Sequence, residues 1–336
     1  MQTKVLIVSV FYNREDMVDE SVQSLVSQLE PDMHLMLVDD GSKDGTLARM
    51  NNWVANNPAG NITVMSHPNM GFVRSIRAGI DAMPSTYIAI HGSGDLSLPG
   101  RLRKQSDYMD QHPQVGVVGC YSRFVYSDNA TAPHIKGEAF TGDASQRMLT
   151  RNPFHHGEVM MRRDCYEQVG GYRTFFKFAQ DRDLFCRLSR ITHFHIIEEV
   201  LYTRYVGVPG SVSGSANKIV VQRFLSDFAC YCHSRRLQGK ADPLDEHGSR
   251  GALFWAPSQR IRQEVFSRAV RALYFKRSAD FEIYREALLQ KDGNLIRRAF
   301  FAFAERFPAL VRFLVETYYR SKFAGLSASA PAGGVT

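Results

Sequence analysis

Four short apolar runs mark the N-terminal part of the chain, at residues 5–10, 35–38, 62–65 and 87–90. Each has strand length and gives way to a polar, turn-forming segment, so each reads as a buried strand that delivers a loop. Between them Val18, Val22, Leu25 and Leu29, then Leu47, Met50 and Val54, then Phe72, Ile76 and Ile80 recur at helical spacing. Strands alternating with amphipathic helices predict an α/β fold, a mostly parallel sheet flanked by helices. Further strands are expected at 115–120, 123–126 and 159–161, and a helix whose apolar face carries Leu184, Phe185 and Leu188. From Asn217 onward the pattern turns helical, with a break at 239–251. The expected organisation is an α/β domain over 1–215, a helical C-terminal extension over 216–326 and a disordered tail over 327–336.

Open α/β sheets bind ligands beyond the carboxyl ends of their strands, so the residues placed there carry the chemistry. The second strand ends in Asp39-Asp40-Gly41-Ser42. A carboxylate at that edge accepts hydrogen bonds from a base or a ribose, or else closes the turn and caps the next helix. We assign Asp40 to ligand contact and Asp44 to capping. The fourth strand ends in Gly92-Ser93-Gly94-Asp95, a small-residue loop carrying one carboxylate, before Leu98-Pro99 opens a helix with Leu102 and Met109.

Several segments recur in a telling order: Val-Ser-Val-Phe-Tyr-Asn-Arg-Glu (8–15), Val-Asp-Asp-Gly-Ser-Lys-Asp-Gly-Thr (38–46), Asn69-Met70-Gly71 with Gly79, and Tyr-Ile-Ala-Ile (87–90). Asn152-Pro153 with His155-His156, Gly170-Gly171-Tyr172 and Gln180-Asp181-Arg182-Asp183-Leu184 continue it. The set resembles family 2 of the nucleotide-sugar glycosyltransferases, with the GT-A fold, over residues 4 to about 213. The resemblance implies an inverting transfer of sugar from a nucleotide diphosphate-sugar, with UDP the expected nucleotide. The acceptor it implies is a glycan or glycolipid of surface polysaccharide synthesis.

On the same resemblance Phe11 and Tyr12 line the base pocket and Asp40 bonds the nucleobase. Arg74 and Arg77 flank Ile76, which occupies the position of the usual nucleotide-facing arginine. Ser93, Gly94 and Asp95 meet the diphosphate, and His156 faces the site. Arg204 supplies positive charge in a loop over 202–213 that closes on the pyrophosphate, where Val208 replaces a usual histidine. Asp181 matches the catalytic base. A carboxylate at a helix start is stabilised as an anion and can take the acceptor's proton, although a plain helix cap has the same appearance.

The central loop departs from the pattern. Gly92 and Gly94 stand where the family has Asp-x-Asp, which leaves Asp95 as the metal-ligand candidate. Three arrangements stay open. Asp95 with waters holds Mg2+ or Mn2+ weakly, only with the nucleotide present. Backbone N–H groups and arginines neutralise the phosphates without metal. Alternatively, donor binding is lost and the chain is a non-catalytic nucleotide- or sugar-binding subunit of a glycan-assembly complex.

Charge and composition add a partner. The 336 residues carry a net charge of +7, and the excess lies after residue 200. Residues 295–314 interleave Leu, Ile and Phe with Arg297, Arg298, Arg306 and Arg312. This predicts a hairpin broken at Pro308 that is buried or forms a homo-oligomer, or a peripheral contact with an anionic membrane. No nucleic-acid recognition motif is present. Five cysteines in no metal-ligand spacing and the lack of a spanning run lead us to expect a cytoplasmic protein, peripheral at the cytosolic membrane face if those helices touch lipid.

Overall fold

The computed structural model describes residues 3–127, 131–208, 215–290 and 293–327. The four apolar runs are β1 (Val5–Phe11), β2 (Met33–Asp39), β3 (Ile62–Ser66) and β4 (Tyr87–Gly92), joined by α1 (Glu15–Val26), α2 (Thr46–Ala55) and α3 (Phe72–Asp81). They pair in parallel in the order β3-β2-β1-β4. Sheet growth therefore reverses direction at β1, and the crevice beyond its carboxyl end is a switch point of the kind that takes ligands. Alternation along β1 sends Leu6, Val8 and Val10 to one core and Val5, Ile7 and Phe11 to another, on opposite faces of the sheet. α3 lies so close to the sheet that a Cβ on Gly79 would stand 2.8 Å from Val38 and 2.9 Å from Val8.

Beyond β4 come β5 (Leu96–Ser97), α4 (Arg101–Gln111) and β6 (Val115–Tyr126), a single strand where two were expected. β7 (His134–Lys136), β8 (Thr141–Gly142), β9 (Met160–Arg162), α5 (Arg163–Gln168), α6 (Gln180–Leu188) and β10 (His193–Val206) follow. β9 runs antiparallel between β4 and β6, and β10 is parallel to β6. β5 pairs antiparallel with β10, setting Ser97 opposite Tyr202. Tyr202 and Arg204 thus belong to a strand and not to a closing loop, because Tyr202, Thr203, Tyr205 and Val206 are strand-favouring residues paired with β6, the first two also with β5. Residues 209–213 of that expected loop lie outside the described residues, as do 328–336 of the expected tail.

The chain forms two compact units, Met1–Gly214 with Phe228–Phe254, and Ser215–Asp227 with Trp255–Thr336. The first crossing between the units lies at 214/215, one residue before the expected boundary, and the chain then returns to the first unit. Along α7 (Ala216–Leu237), Phe228 packs on Phe175 and Phe176, and His233 Nε2 lies 2.8 Å from the Ser145 carbonyl. Asp242, ahead of α8 (Pro243–His247), pairs with Arg173 at 2.9 Å. The second unit holds α9 (Gln259–Tyr274), α10 (Ser278–Leu289), α11 (Leu295–Arg306) and α12 (Pro308–Ser327) around Val265, Ala269, Leu288 and Phe301. Ser258 and Asn294 start α9 and α11 by accepting from the N–H groups of Ile261 and Arg297. Pro308 opens α12, where its missing N–H leaves no helical bond unmade. Among the described residues no helix is long and apolar enough to cross a membrane.

Candidate active site

The loop after β4 is built around Tyr202, whose part the sequence did not reveal. Its buried hydroxyl accepts from the Gly92 N–H at 3.0 Å and donates to Asp95 Oδ2 at 2.8 Å. Asp95 Oδ1 accepts from the Tyr205 N–H at 3.0 Å. The pairing of β5 with β10 is what brings these groups together. A Cβ on Gly92 would stand 2.4 Å from Asp95 Oδ2, and one on Gly157 2.1 Å from the Tyr202 hydroxyl. Gly94 has φ +91°, and a Cβ there would lie 2.6 Å from Met17 Sδ. Of the two glycines that replace Asp-x-Asp, Gly94 is favoured by its positive φ, and Gly92 leaves room for the Asp95 carboxylate beside it.

A buried polar layer supports it. Arg101 is fully buried, donates to the Gly157 carbonyl at 2.7 Å and lies 5.2 Å over the Tyr202 ring. Glu158 accepts from the Ser122 hydroxyl and from the His155 N–H. Burial pushes Asp95 up to about 6 and Glu158 up to about 7, against the pull of those hydrogen bonds and of Arg204 and Arg101. Burial also holds His91 down to about 3.

Glu158 makes stability depend on pH. From about pH 4.5 to 7 the unfolded chain releases this proton while the folded chain keeps it, so its stabilisation is present in acid and lost as pH rises. We expect Glu158→Gln to raise the melting temperature at pH 8 relative to wild type, and to change it little at pH 5. The full gain is about 3 kcal/mol at most. Equal shifts at both pH values in thermal melts would remove Glu158 from the pH dependence.

The Asp95 carboxylate is engaged by the protein itself. Both Asp95 oxygens already accept hydrogen bonds, and Arg204 and Arg101 lie within electrostatic range. Among the described residues no group of three His, Cys, Asp or Glu could hold a metal ion. Asp95, the expected metal ligand, is held by the Tyr202 hydroxyl and the Tyr205 N–H.

The second pole of the site is the start of α6, where two acids behave differently. Asp183 is buried, pairs with Arg173, and meets Arg187 at 2.7 Å. That network anchors the helix. Asp181 is only partly buried, and its Oδ2 accepts from Asn152 Nδ2 at 3.1 Å. Asn152 is a site residue that sequence reasoning left without a role; its nearness to the His155-His156 pair was the available signal. His156 Nε2 lies 2.6 Å from the Tyr172 hydroxyl, and burial holds its pKa below the ordinary histidine value. Arg204 Nη1 is 2.8 Å from His155 Nδ1. Electrostatic coupling runs from Asp95 to Arg204, from Arg204 to His156, and from His156 to Asp181. Asp95, Arg204, His156 and Asp181 thus lie within electrostatic range of one another in that order.

Other expected residues fall elsewhere. Asp40 is 3% exposed, and its carboxylate accepts from Met70 N–H at 2.8 Å, Gly71 N–H at 3.1 Å and Asn69 Nδ2 at 3.3 Å. It fixes the turn ahead of α3, whose first N–H groups have no helical partner. Asp39 accepts from the Ser42 N–H and the Ser66 hydroxyl, and Asp44 from Thr46 at the start of α2. The Phe11 ring is wholly in the core, because β1 alternation turns it inward; only Tyr12 of that pair is exposed. Arg77 Nη1 donates to the Tyr172 carbonyl at 2.8 Å and braces the wall behind His156, while Arg74 is exposed. Ser93 and Gly94 span the tip of the loop between Gly92 and Asp95.

Residues 6–170 match the family model Glycosyl transferase family 2. The chain carries a family 2 glycosyltransferase domain. Asp95, Asn152 and His156 lie within the matched stretch of that domain, and Asp181, Tyr202 and Arg204 follow it. The amylovoran biosynthesis glycosyltransferase AmsE of Erwinia amylovora is 26% identical over 186 residues, covering 54% of this chain and 68% of that protein. Two further bacterial relatives are spanned over 60% and 64% of their length. Among solved structures, the mannosyltransferase PcManGT from Pyrobaculum calidifontis, in complex with GDP-Man and Mn2+, superposes with a TM-score of 0.54 at 15% identity, over 94% of this chain and 84% of that one. S. aureus TarS 1–349 in complex with UDP-GlcNAc gives 0.54 at 17% identity, over 84% and 90%. At such identities the likeness shows the GT-A fold.

Proposed function

We propose that this protein transfers a sugar, with inversion, from a nucleotide diphosphate-sugar to a glycan or glycolipid acceptor of a surface polysaccharide. The observation that carries the reading is Asp181, which stands at a helix start on the site rim while its neighbour Asp183 is consumed by Arg173 and Arg187. The acceptor hydroxyl attacks the anomeric carbon from the face opposite the leaving group. Asp181 takes the proton as the new C–O bond forms, and the bond to the nucleoside diphosphate breaks. The Asn152 amide holds one Asp181 oxygen and so orients the other. Arg204 would face the negative charge that accumulates on the leaving diphosphate.

A nucleotide-sugar as donor is supported by GDP-Man in PcManGT and UDP-GlcNAc in TarS, and UDP is our choice of nucleotide. PcManGT contains Mn2+. In our reading Mg2+ or Mn2+ reaches this site only on the diphosphate itself, and no step runs through it. The site faces the cytosol. A saturating nucleotide stabilises the fold by mass action, about 2.7 kcal/mol at a hundred times its dissociation constant. A screen of nucleoside diphosphates by thermal shift should therefore show UDP raising the melting temperature more than GDP or CDP. A flat response to all of them would overturn the donor reading.

The locked Asp95 favours a second reading, a non-catalytic relative that binds a nucleotide or sugar within a glycan-assembly complex. UDP binding without transfer to any acceptor would decide for it.

A further inference from the structure

Half of the large hydrophobic side chains left exposed among the described residues lie between Leu295 and Tyr318. A surface helix needs one apolar stripe, the one it turns to its core. α12 has two. Val311 and Val315 are buried, while Leu310, Leu314 and Tyr318 recur one helical turn apart on another side, with Phe313 beside them at 64% exposure. α11 repeats the arrangement. Phe301 and Ala304 are buried, and Leu295, Ile296 (81% exposed) and Phe303 point outward. Phe307, in the joint between the helices, is also exposed. Contiguous apolar surface of this kind marks a docking face.

Charge selects the occupant. The second unit carries 16 Lys and Arg against 8 Asp and Glu, whereas the rest of the chain is nearly balanced. Arg298 and Arg306 are exposed on α11 next to the outward stripe, and Lys276 and Arg277 adjoin the exposed Phe275 at the end of α9. A second copy of this unit would set like charges together; anionic headgroups would complement them. Arginine stems can lie along apolar surface while their guanidinium groups reach phosphate.

We propose that the second unit docks on an anionic lipid bilayer, with α11 and α12 lying in the interface and their outward stripes entering the acyl boundary. The inference does not depend on the donor reading, and its test reads no sugar transfer. The full chain should co-sediment with phosphatidylcholine vesicles that contain phosphatidylglycerol, and at least about tenfold less with phosphatidylcholine alone, the difference shrinking as salt is raised. Phe313→Ser with Leu314→Ser should weaken binding by at least about tenfold. Both residues are exposed, so the melting temperature should stay at the wild-type value. Arg298→Gln with Arg306→Gln should lower binding to anionic vesicles about tenfold and leave the neutral baseline unchanged.

No co-sedimentation, equal binding to both vesicle types, or variants that bind as wild type would each overturn the proposal. A concentration-dependent dimer in light scattering that Phe313→Ser abolishes would overturn it too, because a second copy would then cover this face.

Discussion

Asp181→Asn is expected to lower sugar transfer by about 10²–10⁴-fold, the usual contribution of a positioned general base. Nucleotide affinity should stay within about twofold, since the change removes a proton acceptor and leaves the nucleotide's surroundings alone. The replacement has the same shape, and its amide oxygen can still accept from Asn152 Nδ2. The ion network of Asp183 with Arg173 and Arg187 is untouched, so α6 should keep its start. Transfer rate and UDP calorimetry, measured on the same preparation, separate the two effects. A variant with most of its turnover would take Asp181 out of the mechanism.

Gly94→Asp restores a carboxylate where the family has one, and we expect it to damage the fold without creating a metal site. Aspartate at φ +91° costs about 1–2 kcal/mol, and displacing Met17 adds about 1–3 kcal/mol. For a chain of this size the melting temperature should fall by about 5–15 °C. Mn2+ titrated by calorimetry should show no tight binding to wild type or variant without nucleotide, because Asp95 remains held by Tyr202 and Tyr205. Tight binding to the variant with an unchanged melting temperature would mean that the loop is more plastic than its hydrogen bonds suggest.

The first half of the sheet was legible because parallel strands buried on both faces read as apolar runs, as β1, β2 and β4 do, while the half-buried edge strand β3 still keeps Ile62, Val64 and Met65. The ordered set of motifs is what singles out Asp181 and His156, and the structure adds their neighbours Asn152 and Tyr172. The Tyr202 lock was not legible. It joins positions 107 residues apart through a strand pairing, and two-residue β5 leaves almost no trace in sequence. Asp39 and Asp40 look alike as letters, and only the fold of the 67–71 turn decides which groups their oxygens meet. Phe11 was misjudged by one position of strand alternation. α7 is one continuous helix in sequence, although Ser215–Asp227 and Phe228–Phe254 belong to different units.

That shared helix means that heredity and folding do not count the same parts. The α/β unit is discontinuous in sequence, since Phe228–Phe254 returns to it after Ser215–Asp227 has joined the other unit. A gene cut after codon 215 would encode every motif of the glycosyltransferase pattern and still lack Asp242 and His233, the partners of Arg173 and Ser145. Arg173 is also the brace of Asp183 beside Asp181. The segment 228–254 therefore cannot be shed with the rest of the helical extension, and recombination between relatives would have to carry the chain to residue 254 along with the motifs.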